Sequence, residues 1–339
     1  MSGSRPAQAP VGKSRVYFTV DTETSMGGAW RNSAAGPLPL DLSVFGALGS
    51  KQFGIPLLMD ILDRHGFRGT FFTELFCGYV LGFQEIERVL SYILRRGHDA
   101  QLHLHPVYWH YRNYLRGGPK CPKDLMWDRS TEEQEQLIGE GVNLFRQFTG
   151  SVPRAYRAGC YGASETTLEV LGRHGIEIDS SYNLCFLDQT CHFECRPLNG
   201  PKRIAGLVEF PVTNFRVDFH SGYKPLEVGA VSVAEIISTI RSLRRAGCLD
   251  VVISLHSFSF LKNLESGGGK CRPDRLVIRR FDKLCRTLAG LTEEVECAVL
   301  GEARLPRADY PQSDFVPTVG WRLPFSRKLV QGLNRVPWI

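Results

Sequence analysis

Short runs of apolar residues along the chain are followed repeatedly by stretches whose apolar positions recur every three to four residues. The first run, RVYFTVD at 15–21, reads as a strand; GIPLLMDILDRHG at 54–66 has helical period, and GTFFTE at 69–74 is strand-like again. A helix is predicted over 84–96, stopped by Gly97, and HDAQLHLH at 98–105 reads as a strand ended by Pro106. Ser130 and Glu133 have capping-box spacing, opening a helix that continues to about Phe148. Further strand–helix units follow: a strand at 155–157, a helix at 165–174 closed by Gly175, IEIDSS at 176–181, LVEFPVTNF at 207–215, and a helix at 232–245 closed by Gly247. The last elements are a strand at 250–256, a helix at 275–288 and a strand near 296–300.

Strands alternating with helices imply a parallel sheet, because a parallel strand pair needs a covering crossover. Roughly seven such units with right-handed crossovers predict an α/β fold of the deformed (β/α)7-type barrel class, with an open doubly wound sheet as the alternative. The expected organisation is a disordered segment over residues 1–14, one β/α barrel domain over 15–302, and an irregular Pro-punctuated tail over 303–339. Two stretches, 108–129 and 183–203, are longer than ordinary connections and are expected to be irregular lids or rim loops. At 321–339 the tail mixes Trp, Arg and Lys with apolar residues. That suits peripheral contact with a membrane or partner, although a surface-docked tail is the plainer expectation.

Composition narrows the functions. Of 339 residues, 43% are hydrophobic and 22% charged, with a net charge of +6 spread thinly, which is the balance of a globular protein. No dense Lys/Arg stripe points to nucleic acid. The first residues lack the apolar core of an export signal, and no stretch approaches the roughly 18 apolar residues that would span a bilayer. The expectation is a cytoplasmic protein whose ten cysteines are reduced. Cys185, Cys191, His192 and Cys195 could form a zinc knuckle, but they lack CxxC pairs and read more simply as loop thiols.

Nearly every predicted strand ends in a titratable residue: Asp21 and Glu23, His103 and His105, Arg157, Asp179, and His256. In β/α barrels the C-terminal strand ends build one active site, so these positions are expected to converge. His103 and His105 leave the same strand face with Cα atoms roughly 6.6 Å apart, close enough to share a cation. A carboxylate from Asp21 or Glu23 would complete a set of two histidines and one carboxylate, suited to Zn²⁺, Fe²⁺ or another divalent ion. Read singly, each residue also has a plain role: Asp21 and Glu23 as loop carboxylates, Arg157 in a structural ion pair, Asp179 as a cap, His256 as a satisfied core residue.

In order along the chain, the motifs resemble those of the polysaccharide deacetylase superfamily. FTVDTE resembles its first motif, GTFF at 69–72 its ATFF strand, and GHDAQLHLHP its metal-histidine motif. RAGCYG supplies the arginine of the third motif, DSSYN the aspartate of the fourth, and SLHS the histidine of the fifth. The DTE and LHLHP variants are most similar to a branch associated with bacterial lipopolysaccharide biosynthesis. Two departures stand out: the histidines are two rather than four apart, and Asp21-Thr22-Glu23 replaces an Asp-Asp pair. Whether Asp21 or Glu23 is the base therefore stays open, with Asp21 preferred by its place after the apolar strand.

The resemblance implies a metal-dependent hydrolase removing an N-acetyl, or O-acetyl, group from a sugar, glycolipid or polysaccharide precursor. Glu23, His103 and His105 would hold the metal, most readily Zn²⁺, with Co²⁺, Fe²⁺ or Ni²⁺ as substitutes. Asp21 would be the base, positioned by Arg157, and His256, oriented by Asp179, the acid. A backbone N–H near Tyr161 would face the oxyanion, and Trp109 and its aromatic neighbours would meet sugar faces. The alternatives are a catalytically decayed glycan-binding or scaffold protein on the same fold, and a metal-dependent amidohydrolase, in which the HxH pair ends the first strand rather than the third.

Overall fold

The computed structural model describes residues 12–32, 36–217, 222–264, 271–305 and 313–323. Nine strands make the main sheet, and seven run parallel in one hydrogen-bonded path. In chain order the elements used below are β1 (Ser14–Thr22), α1 (Ile55–Arg64), β2 (Thr70–Glu74), α2 (Phe83–Arg95), β3 (Asp99–Leu104), α3 (Pro106–Leu115) and α4 (Thr131–Thr149). They are followed by β4 (Ala155–Ala158), α5 (Glu165–Arg173), β5 (Ile178–Asp179), β6 (Leu207–Glu209), α6 (Val233–Arg245), β7 (Asp250–His256), α7 (Arg275–Ala289) and β8 (Val295–Ala298). The path runs β7-β1-β2-β3-β4-β5-β6. The first half of β1 also pairs with β8, while its second half pairs with β2.

This is the expected α/β barrel in deformed form, because β6 and β7 are not joined by a continuous ladder. Isolated contacts bridge the gap: Thr213 N–H donates to Val252 O at 3.1 Å, and Glu227 forms a single parallel bridge with Ser254. The two-residue period of each strand sorts side chains onto two buried faces, as in sheets covered on both sides. On β1, Val16, Phe18 and Val20 face the helices, while Tyr17 joins an inner cluster with Phe72, Ile178, Val208, Val252 and Leu300. The helices answer with apolar stripes: α2 buries Ile86, Val89, Leu90 and Ile93, and α7 buries Val277, Phe281, Leu284, Cys285 and Leu288.

Several expectations change. The stretch at 108–129 is not irregular throughout, since Pro106 occupies the first turn of α3, where its fixed φ and missing N–H cost nothing. LVEFPVTNF is two strands, β6 and Asn214–Val217, rather than one. Pro211, which has no N–H for a ladder, lies between them. The described part of the tail is docked: Asn199 and Gly200 donate their N–H groups to Ser313 O, and Thr318–Val319 pairs with Arg216–Val217. Residues 1–11, and the proposed membrane-contact stretch beyond Leu323, lie outside the described residues. Among those described, no helix is long and apolar enough to cross a membrane.

Candidate metal and hydrolytic site

Register explains why distant residues meet. Asp21 pairs with His256 on one side and Phe72 on the other, and His103 pairs with Glu74 and Arg157. In parallel strands paired residues share a face, so Asp21, Glu74, His103, Arg157 and His256 all look into the barrel. The ends of β1 and β7 are tied together: Ser257 N–H donates to Asp21 O at 2.8 Å, and the Ser257 hydroxyl donates to Glu23 O at 3.2 Å.

Glu23 is the carboxylate between the imidazoles. Its Oε2 lies 3.1 Å from His103 Nε2 and 2.6 Å from His105 Nε2. The other ring nitrogens are also engaged: His103 Nδ1 donates to Arg157 O at 2.7 Å, and His105 Nδ1 lies 2.6 Å from Asp124 Oδ2. An imidazole that donates from Nδ1 presents a lone pair at Nε2, the pattern by which proteins orient metal-binding histidines. One ligand atom from each of Glu23, His103 and His105 lies within 4.8 Å of the others, so this donor set suits a divalent cation. Burial pushes the Glu23 carboxyl up, but His105 and the two imidazole contacts outweigh it and hold the group well below its ordinary range. For His105, burial favours the neutral ring, while Asp124 and Glu23 overcome it and raise its pKa.

Beside this cluster Arg157, fully buried, donates to Asp21 Oδ1 at 2.7 Å, to Ser180 O at 2.9 Å and to the Ser180 hydroxyl at 2.9 Å. Its guanidinium carbon lies 4.4 Å from the centroid of the Phe72 ring. His256 completes the cup, with Nε2 4.0 Å from Asp21 Oδ2 and 3.7 Å from Glu23 Oε1. Tyr161 follows β4 with φ 59°, next to Cys160 at φ 54°; its ring stacks on Phe186 and lies 5.9 Å from the Arg157 guanidinium. Two successive left-handed residues without glycine mark a locally strained turn. Gly159 precedes them, and a Cβ there would meet His105 Nδ1 at 2.5 Å.

Other expected residues lie elsewhere. Asp179 pairs with Tyr156 and Glu209, on the face opposite Arg157. Its carboxylate accepts from the Ser181 hydroxyl at 2.7 Å and the Ser181 N–H at 3.2 Å, so its contacts are on the helix side rather than with His256. Trp109 donates Nε1–H to Glu140 Oε2 at 3.0 Å, which holds its indole against α4 rather than at the cup. Its neighbour Tyr108 reaches inward, its hydroxyl donating to Thr24 O at 2.7 Å and its ring 6.4 Å from His105. Among the described residues the knuckle set does not gather as a ligand cluster: His192 stacks on Trp127, and Cys195 accepts from Lys202 Nζ at 3.1 Å.

Two site residues escaped the sequence reading. Glu74, buried, accepts from the N–H groups of Phe76, Cys77 and His105, and burial raises its pKa. Its signal was available, since it ends a strand as the other site residues do. Asp124 lies in a polar stretch between α3 and α4, where nothing in local pattern separates it from Asp128.

No family model matches the sequence, and no curated protein does. Solved structures do. A protein from Mycobacterium smegmatis assigned to the polysaccharide deacetylases matches with a TM-score of 0.52 at 19% identity, over 88% of this chain and 91% of that one. A family 4 carbohydrate esterase from Streptomyces lividans, solved with acetate, matches at a TM-score of 0.43 and 11% identity, over 90% of this chain and 98% of that one. The first likeness shows a shared fold, that of the polysaccharide deacetylases; the second is too distant to add to it.

Proposed function

We propose that this chain is a metal-dependent hydrolase that removes an acetyl group, N-linked or O-linked, from a sugar conjugate. One observation carries the reading: two imidazoles converge on one oxygen of Glu23, while a second carboxylate, Asp21, is held by Arg157 in the same cup. A divalent cation held by Glu23, His103 and His105, with Zn²⁺ the first choice and Co²⁺, Fe²⁺ or Ni²⁺ as substitutes, supplies Lewis acidity to the acyl carbonyl and an acidified water.

The chain's own groups do the rest. Arg157 fixes Asp21 through Oδ1, leaving Oδ2 turned toward His256 to take a proton from the attacking water. As the acyl C–N bond breaks, the water oxygen stays with the acetate, and His256 gives its proton to the departing amine. For an O-acetyl group the same proton goes to the leaving alcohol. Backbone N–H near Tyr161 is assigned to the developing oxyanion by the resemblance of RAGCYG to the family's third motif.

A cytoplasmic setting is part of the proposal, supported by ten cysteines that are all unpaired. A lipopolysaccharide precursor as substrate rests on the DTE and LHLHP variants alone.

The test is acetate release from acetylated nucleotide-sugars, lipid-linked sugars and oligosaccharides. Chelator treatment should abolish release and Zn²⁺ or Co²⁺ should restore it; full activity in metal-free protein would refute the reading. Purified protein without stoichiometric metal would favour the decayed, glycan-binding alternative.

A further inference from the structure

Asp124 touches the candidate ligand set from outside the barrel. It is carried by the chain between α3 and α4, and that chain is fastened at the rim. Trp127 N–H donates to Gly162 O at 3.0 Å, Trp127 Nε1–H donates to Thr190 O at 2.7 Å, and the indole stacks on His192 with ring centroids 4.7 Å apart. Asp124 Oδ1 accepts from Val107 N–H at 3.1 Å, at the start of α3, and Oδ2 lies 2.6 Å from His105 Nδ1. The same oxygen accepts a longer contact, 3.7 Å, from Cys160 Sγ. The two oxygens therefore have separable tasks: one anchors the connection to α3, and the other meets the imidazole.

We infer that Asp124 is a positioning residue for His105, making cation affinity depend on the docking of the α3–α4 connection. The inference rests on the reading of Glu23, His103 and His105 as metal ligands. A carboxylate on the far nitrogen fixes ring orientation and makes the liganding nitrogen more basic, and removing such a partner typically lowers metal affinity 10–100-fold. His103 has only a neutral carbonyl in the equivalent place. The electrostatic support in this cluster therefore falls on His105.

Zn²⁺ and Co²⁺ affinities measured by competition with a chromophoric chelator, together with the visible spectrum of the Co²⁺ form, test this in the full chain. Asp124→Asn keeps an acceptor for Val107 N–H but removes the charge facing His105. Affinity about 10–100-fold weaker, with an altered Co²⁺ spectrum and unchanged far-UV circular dichroism, is expected for Asp124→Asn and Asp124→Ala alike. Trp127→Ala, which removes the indole's contacts with Thr190 O and His192 while Asp124 stays in place, should weaken affinity in the same direction.

If Asp124→Asn binds as tightly as wild type and only Asp124→Ala is impaired, Asp124 merely braces the connection and the inference fails. Two ions per wild-type chain, reduced to one by Asp124→Asn, would instead make Asp124 a ligand and overturn it. Wild-type protein that binds no ion would sink the metal reading itself, an outcome distinct from tight binding by both wild type and variant.

Discussion

Arg157 shows how much a single side chain settles in this molecule. It lies wholly inside the barrel, against the Phe72 ring, and its polar contacts are Asp21 and both oxygens of Ser180. A buried ion pair contributes little net stability, but removing one member strands the other in a medium that cannot solvate it. Arg157→Met should therefore cost about 3–5 kcal/mol, read from urea unfolding. Asp21→Asn keeps an acceptor toward Arg157 but leaves the buried guanidinium without a counter-charge, so it should also destabilise the fold while abolishing acetate release. Stability unchanged in either variant would show that the pair is not balanced in this way.

At the scale of elements, the outer faces of β5 and β6 hold a second pair of acids. Burial raises the pKa of both Asp179 and Glu209, and for Glu209 the neighbouring Asp179 adds to the rise, carrying it well above the ordinary carboxylate range. The folded state then binds more protons than the unfolded chain once pH exceeds the ordinary value of about 4.5, so stability falls as pH rises until the folded pKa is passed. Glu209→Gln keeps an acceptor for Tyr182 N–H, bonded at 2.9 Å in the parent, and should flatten that fall. Unfolding free energies at pH 5 and pH 8 check this, with parallel slopes in the two proteins as the adverse outcome.

That outer pair also shows where the sequence misleads. Asp179 ends an apolar run just as Asp21 does, and only strand register reveals that one looks outward and the other inward. Elements with strong local signals were legible: Ser130 and Ser232 cap their helices, each receiving the N–H three residues on, and β7 spans the residues the apolar run predicts. Pro106 ends the β3 pattern and equally opens α3, so local pattern alone hides that helix and places Trp109 in a loop. The Glu23–His103–His105 convergence could be anticipated because strand period and strand ends are local properties. Asp124 could not, since its contact with His105 depends on how a long connection folds back over the rim.

For the whole molecule, the end of the barrel away from the site is closed by the chain after β8. Leu300 is fully buried in the inner cluster, its N–H donating to the Thr70 hydroxyl at 2.8 Å. Gly301 N–H donates to Asp99 Oδ2 at 2.9 Å, Arg154 donates to Gly301 O at 3.0 Å, and Arg68 pairs with Glu302. These partners come from the starts of β2, β3 and β4 and the residues just before them. Leu300→Ala should cost about 2–5 kcal/mol, whereas Leu94→Ala, at an exposed helix position, should stay within about 0.5 kcal/mol. Comparable losses from both would mean that the plug carries no special share of the core.

A stoppered base makes the barrel a vessel met from the strand-end rim. Under the proposed chemistry a glycan cannot be threaded through such a vessel; it offers one decorated unit at the rim and then backs away.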